Sequence, residues 1–167
     1  MYRTPLLDNH DKTAFYSALN YELLELIEYE AEWLASMANA AALLGHQLRE
    51  INWVGFYLMH NDLLVLGPFQ GKPACSAIVP GNGVCGTVAE TGLTLVVPNV
   101  HTFPGHIACD EASQSEIVLP IRVDGRVVAV LDIDSPVPDR FTEEDKLGLE
   151  GFAELLAAHI KWDKVSL

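Results

Sequence analysis

Positive charge is scarce in this chain. Ten Lys and Arg stand against 23 Asp and Glu, a net charge of −13 over 167 residues. Such a chain repels phosphate backbones, which argues against nucleic acid as a partner. An anionic membrane surface is excluded on the same ground. Long apolar runs are also missing. Half of the residues are hydrophobic, yet charges interrupt every stretch well short of the roughly 20 apolar residues that a membrane helix needs. The opening MYRTPLLD has no basic segment leading into an apolar run of about 7 to 15 residues, so it does not read as a secretory signal. The expectation is a cytoplasmic protein whose thiols are kept reduced.

Cysteine is sparse too, with Cys75, Cys85 and Cys109 only. A disulfide framework is not expected at this length and in that compartment. Zinc would need a fourth ligand, His101 or His106, beside the three thiols. There is no Cys-x-x-Cys pair, and the gaps between cysteines are 10 and 24 residues. No metal or other cofactor is therefore expected. What remains open is thiol chemistry or burial as small apolar side chains.

The elements follow from periodicity. Asp11 or Thr13 can cap a helix carrying Phe15, Leu19, Leu23, Leu26 and Ile27 at spacings of three and four. A second helix is predicted from Ala31 to about Glu50, locally weakened by Gly45. Aromatic and β-branched residues then predict a strand from Asn52 to Met59, paired through Asn61-Asp62 with Leu63 to Leu66. Short strands at Ser76 to Val79 and Thr94 to Val97 flank a helix from Val84 to Glu90. Residues 99 to 114 show no period, and a loop of that length usually carries function. Asp124-Gly125 joins two further strands, Glu116 to Val123 and Arg126 to Ile133, as a type I′ hairpin. Thr142 and Asp145 form a capping box for a last helix that runs to about Ile160. Helices, a mostly antiparallel sheet and a closing helix predict an α+β fold with helices on one face.

Several side chains could carry chemistry. Cys109 lies in the irregular loop beside His106 and Asp110, and Cys75 precedes a strand in a Gly- and Pro-containing segment. Cys85 opens a short helix, whose dipole favours a thiolate. Asp132 and Asp134 alternate with Ile133, so they share one face of a strand, and Glu116 begins the strand that pairs with it. Surface carboxylates are the plain alternative. Their apolar neighbours, VVAVL before Asp132 and IVLP after Glu116, suggest instead a cluster in which at least one pKa is raised. Trp53 and Tyr57, four residues apart on one strand, share a face and belong either to the core or to a small apolar pocket.

The segments NWVGFYL, LGPFQGKPAC, GNGVCGTVAETG, NVHTFPGHIACD, SQSEIVLPI and VAVLDIDSPVPDRFTEED together resemble the free methionine-(R)-sulfoxide reductase family of GAF-domain proteins. The resemblance runs from about residue 15 into the C-terminal helix. It implies a single GAF domain over residues 1–167, with N- and C-terminal helices packed on one face of the sheet. It also implies reduction of free methionine-(R)-sulfoxide to methionine, with thioredoxin as reductant and an intramolecular disulfide. By its motifs Cys109 matches the catalytic cysteine, Cys75 the usual resolving cysteine and Cys85 an additional one. Glu116, Asp132 and Asp134 match the carboxylates around the substrate, and Trp53 and Tyr57 match pocket aromatics. GAF domains often dimerise through their terminal helices, so a homodimer is compatible with the resemblance. A ligand-binding GAF sensor is the competing function. It would lose no thiols on exposure to methionine sulfoxide.

Overall fold

The computed structural model describes residues 5–105 and 110–166. Helix α1 covers Lys12–Ile27, and of the two candidate caps it is Asp11 that accepts a hydrogen bond from the Ala14 N–H at 3.0 Å. Its buried stripe is Phe15, Tyr16, Leu19, Leu23 and Ile27. Helix α2, Trp33–Gln47, stops short of the expected Glu50. Leu48 is already extended and Glu50 has φ 57°, a left-handed conformation that no helix continues through. Gly45 has a packing reason. A Cβ there would stand 3.2 Å from Cβ of Gln70, so the bare backbone lets α2 approach the sheet.

The sheet has six antiparallel strands in the order β3-β2-β1-β6-β5-β4. They are β1 Trp53–His60, β2 Leu63–Gln70, β3 Ala77–Ile78, β4 Leu95–Val97, β5 Ser115–Val123 and β6 Arg126–Ser135. Both predicted tight turns have positive φ at their two central residues: Asn61 48° and Asp62 62°, Asp124 50° and Gly125 78°. That is the requirement of a type I′ hairpin. Strand β2 continues four residues past its expected end. Gly67 and Pro68 look like breakers, but they fall where the β1–β2 register shifts between Gly55 and Tyr57. At such a bulge a residue lacking an N–H costs the ladder nothing.

Alternation along the strands divides the core in two. One face, with Val54, Phe56, Ile117, Leu119, Leu131 and Ile133, packs under α1, α2 and the last helix, α4 (Glu143–His159). The N- and C-terminal helices thus share a face, as expected. The opposite face carries Trp53, Tyr57, Val118 and Val130, and packs with Val84, Cys85 and Val88 of α3 (Gly83–Thr91). Thr142 and Asp145 form the capping box of α4. Asp145 also binds Lys12 Nζ at 2.6 Å, the Tyr16 hydroxyl at 2.8 Å and Arg140 at 3.2 Å, which ties α1 to α4. The two helices lie so close that a Cβ at Gly148 would fall 2.0 Å from the Tyr16 ring.

Candidate active site

The second face of the sheet ends in a pocket floored by β1, β5 and β6 and walled by α3. Trp53, Tyr57, Cys85, Glu116, Asp132 and Asp134 all line it. Trp53 and Tyr57 stack with ring centroids 6.0 Å apart, and Phe69 stacks on the other side of Trp53 at 5.4 Å. Two glycines make room for this arrangement. A Cβ at Gly55, between the two aromatics, would meet the Trp53 ring at 2.7 Å and Cβ of Phe69 at 2.4 Å. One at Gly71, where φ is 138°, would stand 2.5 Å from Trp53 Cδ1. The indole N–H donates to the Lys72 carbonyl at 3.1 Å, which fixes the ring and the following segment together.

The three carboxylates converge because of register. Glu116 of β5 stands opposite Asp134 of β6, and Asp134 in turn stands opposite Trp53 of β1. Asp132, two residues back on the same face, is opposite Val118. Glu116 and Asp132 are buried, and Asp134 is half-buried. Burial, followed by the neighbouring Asp132 and Asp134 charges, pushes the Glu116 carboxyl well above the usual range. Asp134 rises to about 8 through burial and then repulsion from Asp132, against a hydrogen bond from Ser113. Asp132 rises to about 6 through burial, held back by hydrogen bonds with Cys85 and Glu116. Oδ1 of Asp132 is buried and has no hydrogen-bond partner. One oxygen of Glu116, one of Asp132 and the Cys85 sulfur lie within 4.8 Å of one another.

Cys85 departs from its expected state. Its place at the start of α3 suggests a thiolate, but burial and then the charges of Asp132 and Glu116 push the thiol well above its ordinary value. A helix dipole is equivalent to about half a charge, and two adjacent carboxylates outweigh it. Cys75 is half-buried and packs on the Trp53 side of the core, beyond the pocket-lining Lys72, Pro73 and Ala74. Cys109 and His106 lie outside the described residues. His101 is exposed in a 3-10 turn, Val100–Thr102. The three-cysteine zinc set includes Cys109 and so lies outside the described residues. Among the described residues the group able to hold a metal is Cys85, Glu116 and Asp132.

Three polar residues around the mouth, Asn52, Lys72 and Ser113, escaped the sequence reading, and they meet Asp110 there. Asp110 accepts from Lys72 Nζ at 3.0 Å, Asn52 Nδ2 at 3.2 Å and the Ala112 N–H at 3.0 Å. The Ala112 bond foremost, then the Lys72 bond, hold its carboxyl below the usual range. Asn52 also donates to Ser113 Oγ at 3.0 Å. These residues come from three separate segments, and no spacing in the chain announces their meeting.

The chain is similar to known proteins in sequence and in shape. The GAF domain family matches residues 22–160. The free methionine-R-sulfoxide reductase of Escherichia coli (strain K12) is 53% identical over 139 residues, covering 83% of this chain and 84% of that one. The enzyme of the same name from Saccharomyces cerevisiae is 43% identical over 163 residues, 87% of this chain and 91% of that one. Among solved structures, the free methionine-R-sulfoxide reductase from Neisseria meningitidis in complex with its substrate superimposes with a TM-score of 0.92 at 40% identity, covering 98% of both chains.

Proposed function

The chain belongs to the GAF domain family and, within it, to the free methionine-R-sulfoxide reductases, which are oxidoreductases, and from that premise we propose that it reduces free L-methionine-(R)-sulfoxide to L-methionine with Cys109 as nucleophile. One observation supports this reading above the others: three carboxylates with raised pKa values share a pocket with an aromatic stack. A sulfoxide sulfur resists attack until its oxygen takes up a proton. A carboxylic acid that stays protonated near neutral pH can supply it. The donor we assign is Glu116 or Asp134. The ionised carboxylates and the unpartnered Asp132 oxygen receive the substrate ammonium. The Trp53 and Tyr57 faces take the methyl and methylene groups. A methionine residue inside a protein has no ammonium to offer, so this pocket selects the free amino acid.

In the redox cycle the Cys109 thiolate attacks the protonated sulfoxide. Oxygen passes to Cys109 as a sulfenic acid, and methionine leaves with both electrons. A second thiol condenses with the sulfenic acid, releasing water and forming a disulfide. We assign that thiol to Cys75. Cys85 is neutral, deeply buried and hydrogen-bonded to Asp132, and so is a poor attacking group in the resting pocket. A dithiol reductant, thioredoxin, then returns the enzyme to its starting state in the cytoplasm. We take residues 1–167 as one GAF domain, since α1, which begins ahead of the matched residues, packs directly on α4. A homodimer is part of the same reading.

The test is turnover of the separate R and S isomers of free methionine sulfoxide with a thiol count. The expected result is loss of two thiols per chain with the R isomer alone. No loss with either isomer would leave a ligand-binding sensor as the function.

A further inference from the structure

The pocket holds one soft donor and two hard donors on three rigid elements. Cys85 projects from α3, Glu116 from β5 and Asp132 from β6, with sulfur and both oxygens within 4.8 Å of one another and all three residues buried. Zinc accepts sulfur and oxygen ligands together, at bond lengths of about 2.3 and 2.0–2.2 Å. Magnesium and calcium require six or more oxygen ligands and reject thiolates. A second, independent feature points to a cation: Asp132 is 7 % exposed, and its Oδ1 has no hydrogen-bond partner. Buried carboxylate oxygens are normally paired. Asp134 adds a further carboxyl next to the cluster, and the lysine at the mouth, Lys72, is engaged by Asp110.

We propose that Cys85, Glu116 and Asp132 form a binding site for zinc, with the pocket side left open for water, and that zinc there excludes the substrate. Binding replaces the Cys85 S–H bond with an S–Zn bond and the Glu116 O–H bond with an O–Zn bond, and both protons are released to solvent. The ion occupies the carboxylate corner that the proposed function gives to the substrate ammonium, so the two compete. The competition rests on that functional reading, whereas the zinc site does not.

A chain carrying Cys75→Ser and Cys109→Ser keeps Cys85 as its single thiol and cannot turn over. Titration of this chain with zinc against a chromophoric chelator should give one ion per chain and release of protons. Adding Cys85→Ser, or Asp132→Asn, should weaken binding by at least about tenfold, because even changes outside the ligand shell of zinc sites cost about 10–100-fold. Near-ultraviolet circular dichroism checks that each variant keeps its packing. Free methionine-(R)-sulfoxide should lower the apparent zinc affinity in proportion to its concentration, and magnesium should not. The proposal is overturned if the single-thiol chain binds no zinc. It is equally overturned if Cys85→Ser binds as tightly, which would place the ion on exposed histidines or carboxylates. Zinc binding without competition would retain the metal site and remove the ammonium from this corner. Absence of R-isomer turnover in the wild-type enzyme would defeat the functional reading alone.

Discussion

At the scale of single residues, what matters is which group holds a proton. Glu116 and Asp134 face each other across β5 and β6, and both favour the acid form near neutral pH. Amide substitution keeps the shape and removes the acid. We expect whichever of Glu116→Gln and Asp134→Asn removes the donor to lower kcat by about 10²–10⁴-fold. Asp132→Asn should chiefly raise KM, since Asp132, at about 6, ionises before Asp134, at about 8, and is the better ammonium partner. Steady-state kinetics on the three variants decides this, and three wild-type profiles would place the chemistry elsewhere. Cys109→Ser should abolish turnover, because a hydroxyl is a far weaker nucleophile than a thiolate. Wild-type product yield in a single turnover would refute that assignment. The identities of these residues were legible in the sequence because period-two alternation puts Asp132 with Asp134 and Trp53 with Tyr57. The state of Cys85 was not. It depends on carboxylates 31 and 47 positions further along the chain, which only the folded sheet brings to α3.

Secondary-structure elements repeat the contrast. Hairpin turns and the capping box are local, so Asn61-Asp62, Asp124-Gly125 and Thr142 with Asp145 announced themselves. The full length of β2 did not, because a bulge absorbs Gly67-Pro68 only where β1 lies beside it. The pocket mouth is non-local in the same way. The segment after Gly71 is held on one side by the Trp53 indole and on the other by the Lys72–Asp110 ion pair. Lys72 is 69% exposed and so screened by salt. The pair therefore bears on the geometry of the mouth rather than on global stability. We expect Lys72→Met to leave Tm within about 2 °C, a shift smaller than ~1 kcal/mol produces in a domain of this length. The variant should lower kcat/KM several-fold and remove its dependence on ionic strength. Unchanged kcat/KM with the wild-type salt response would show the pair to be idle. Because this segment leads to Cys75, peptide mapping after oxidation by substrate should find a Cys75–Cys109 linkage. Exclusive Cys85–Cys109 linkage would transfer the resolving role to Cys85.

Across the whole molecule, the two faces of the sheet respond to pH in opposite directions. On the helical face, burial pushes the Asp145 carboxyl up, but Lys12, the Thr142 N–H, Tyr16 and Arg140 together bring it below its ordinary 3.8. Its contribution is present above that value and is lost as pH falls through the folded pKa. On the pocket face, Asp132 rises from 3.8 to about 6 and Asp134 from 3.8 to about 8. Their contribution is full below 3.8 and is lost as pH rises through those folded values. Stability should therefore peak at about pH 4, where the helical-face contribution is complete and the pocket-face contribution has not yet begun to fall. The net charge of −13 steepens the alkaline decline through self-repulsion. Single variants separate the two limbs. Asp134→Asn should raise Tm at pH 8 by at least about 2–4 °C, the shift that ~1 kcal/mol gives in a domain of this size, and change it little at pH 4. Asp145→Ala removes the reciprocal half of the capping box, the bond its side chain accepts from the Thr142 N–H, worth about 1 kcal/mol, and leaves the buried Tyr16 hydroxyl without its acceptor, worth about 1–3 kcal/mol more. It should lower Tm at pH 6 by roughly 4–16 °C and flatten the acid limb, while kcat at 25 °C stays near wild type because the network lies across the sheet from the pocket. Thermal melts of the three proteins from pH 3 to 9 read both limbs directly. Parallel curves for wild type and Asp134→Asn would mean that the pocket carboxylates do not titrate with the fold, and that the proton required at the sulfoxide oxygen comes from another group.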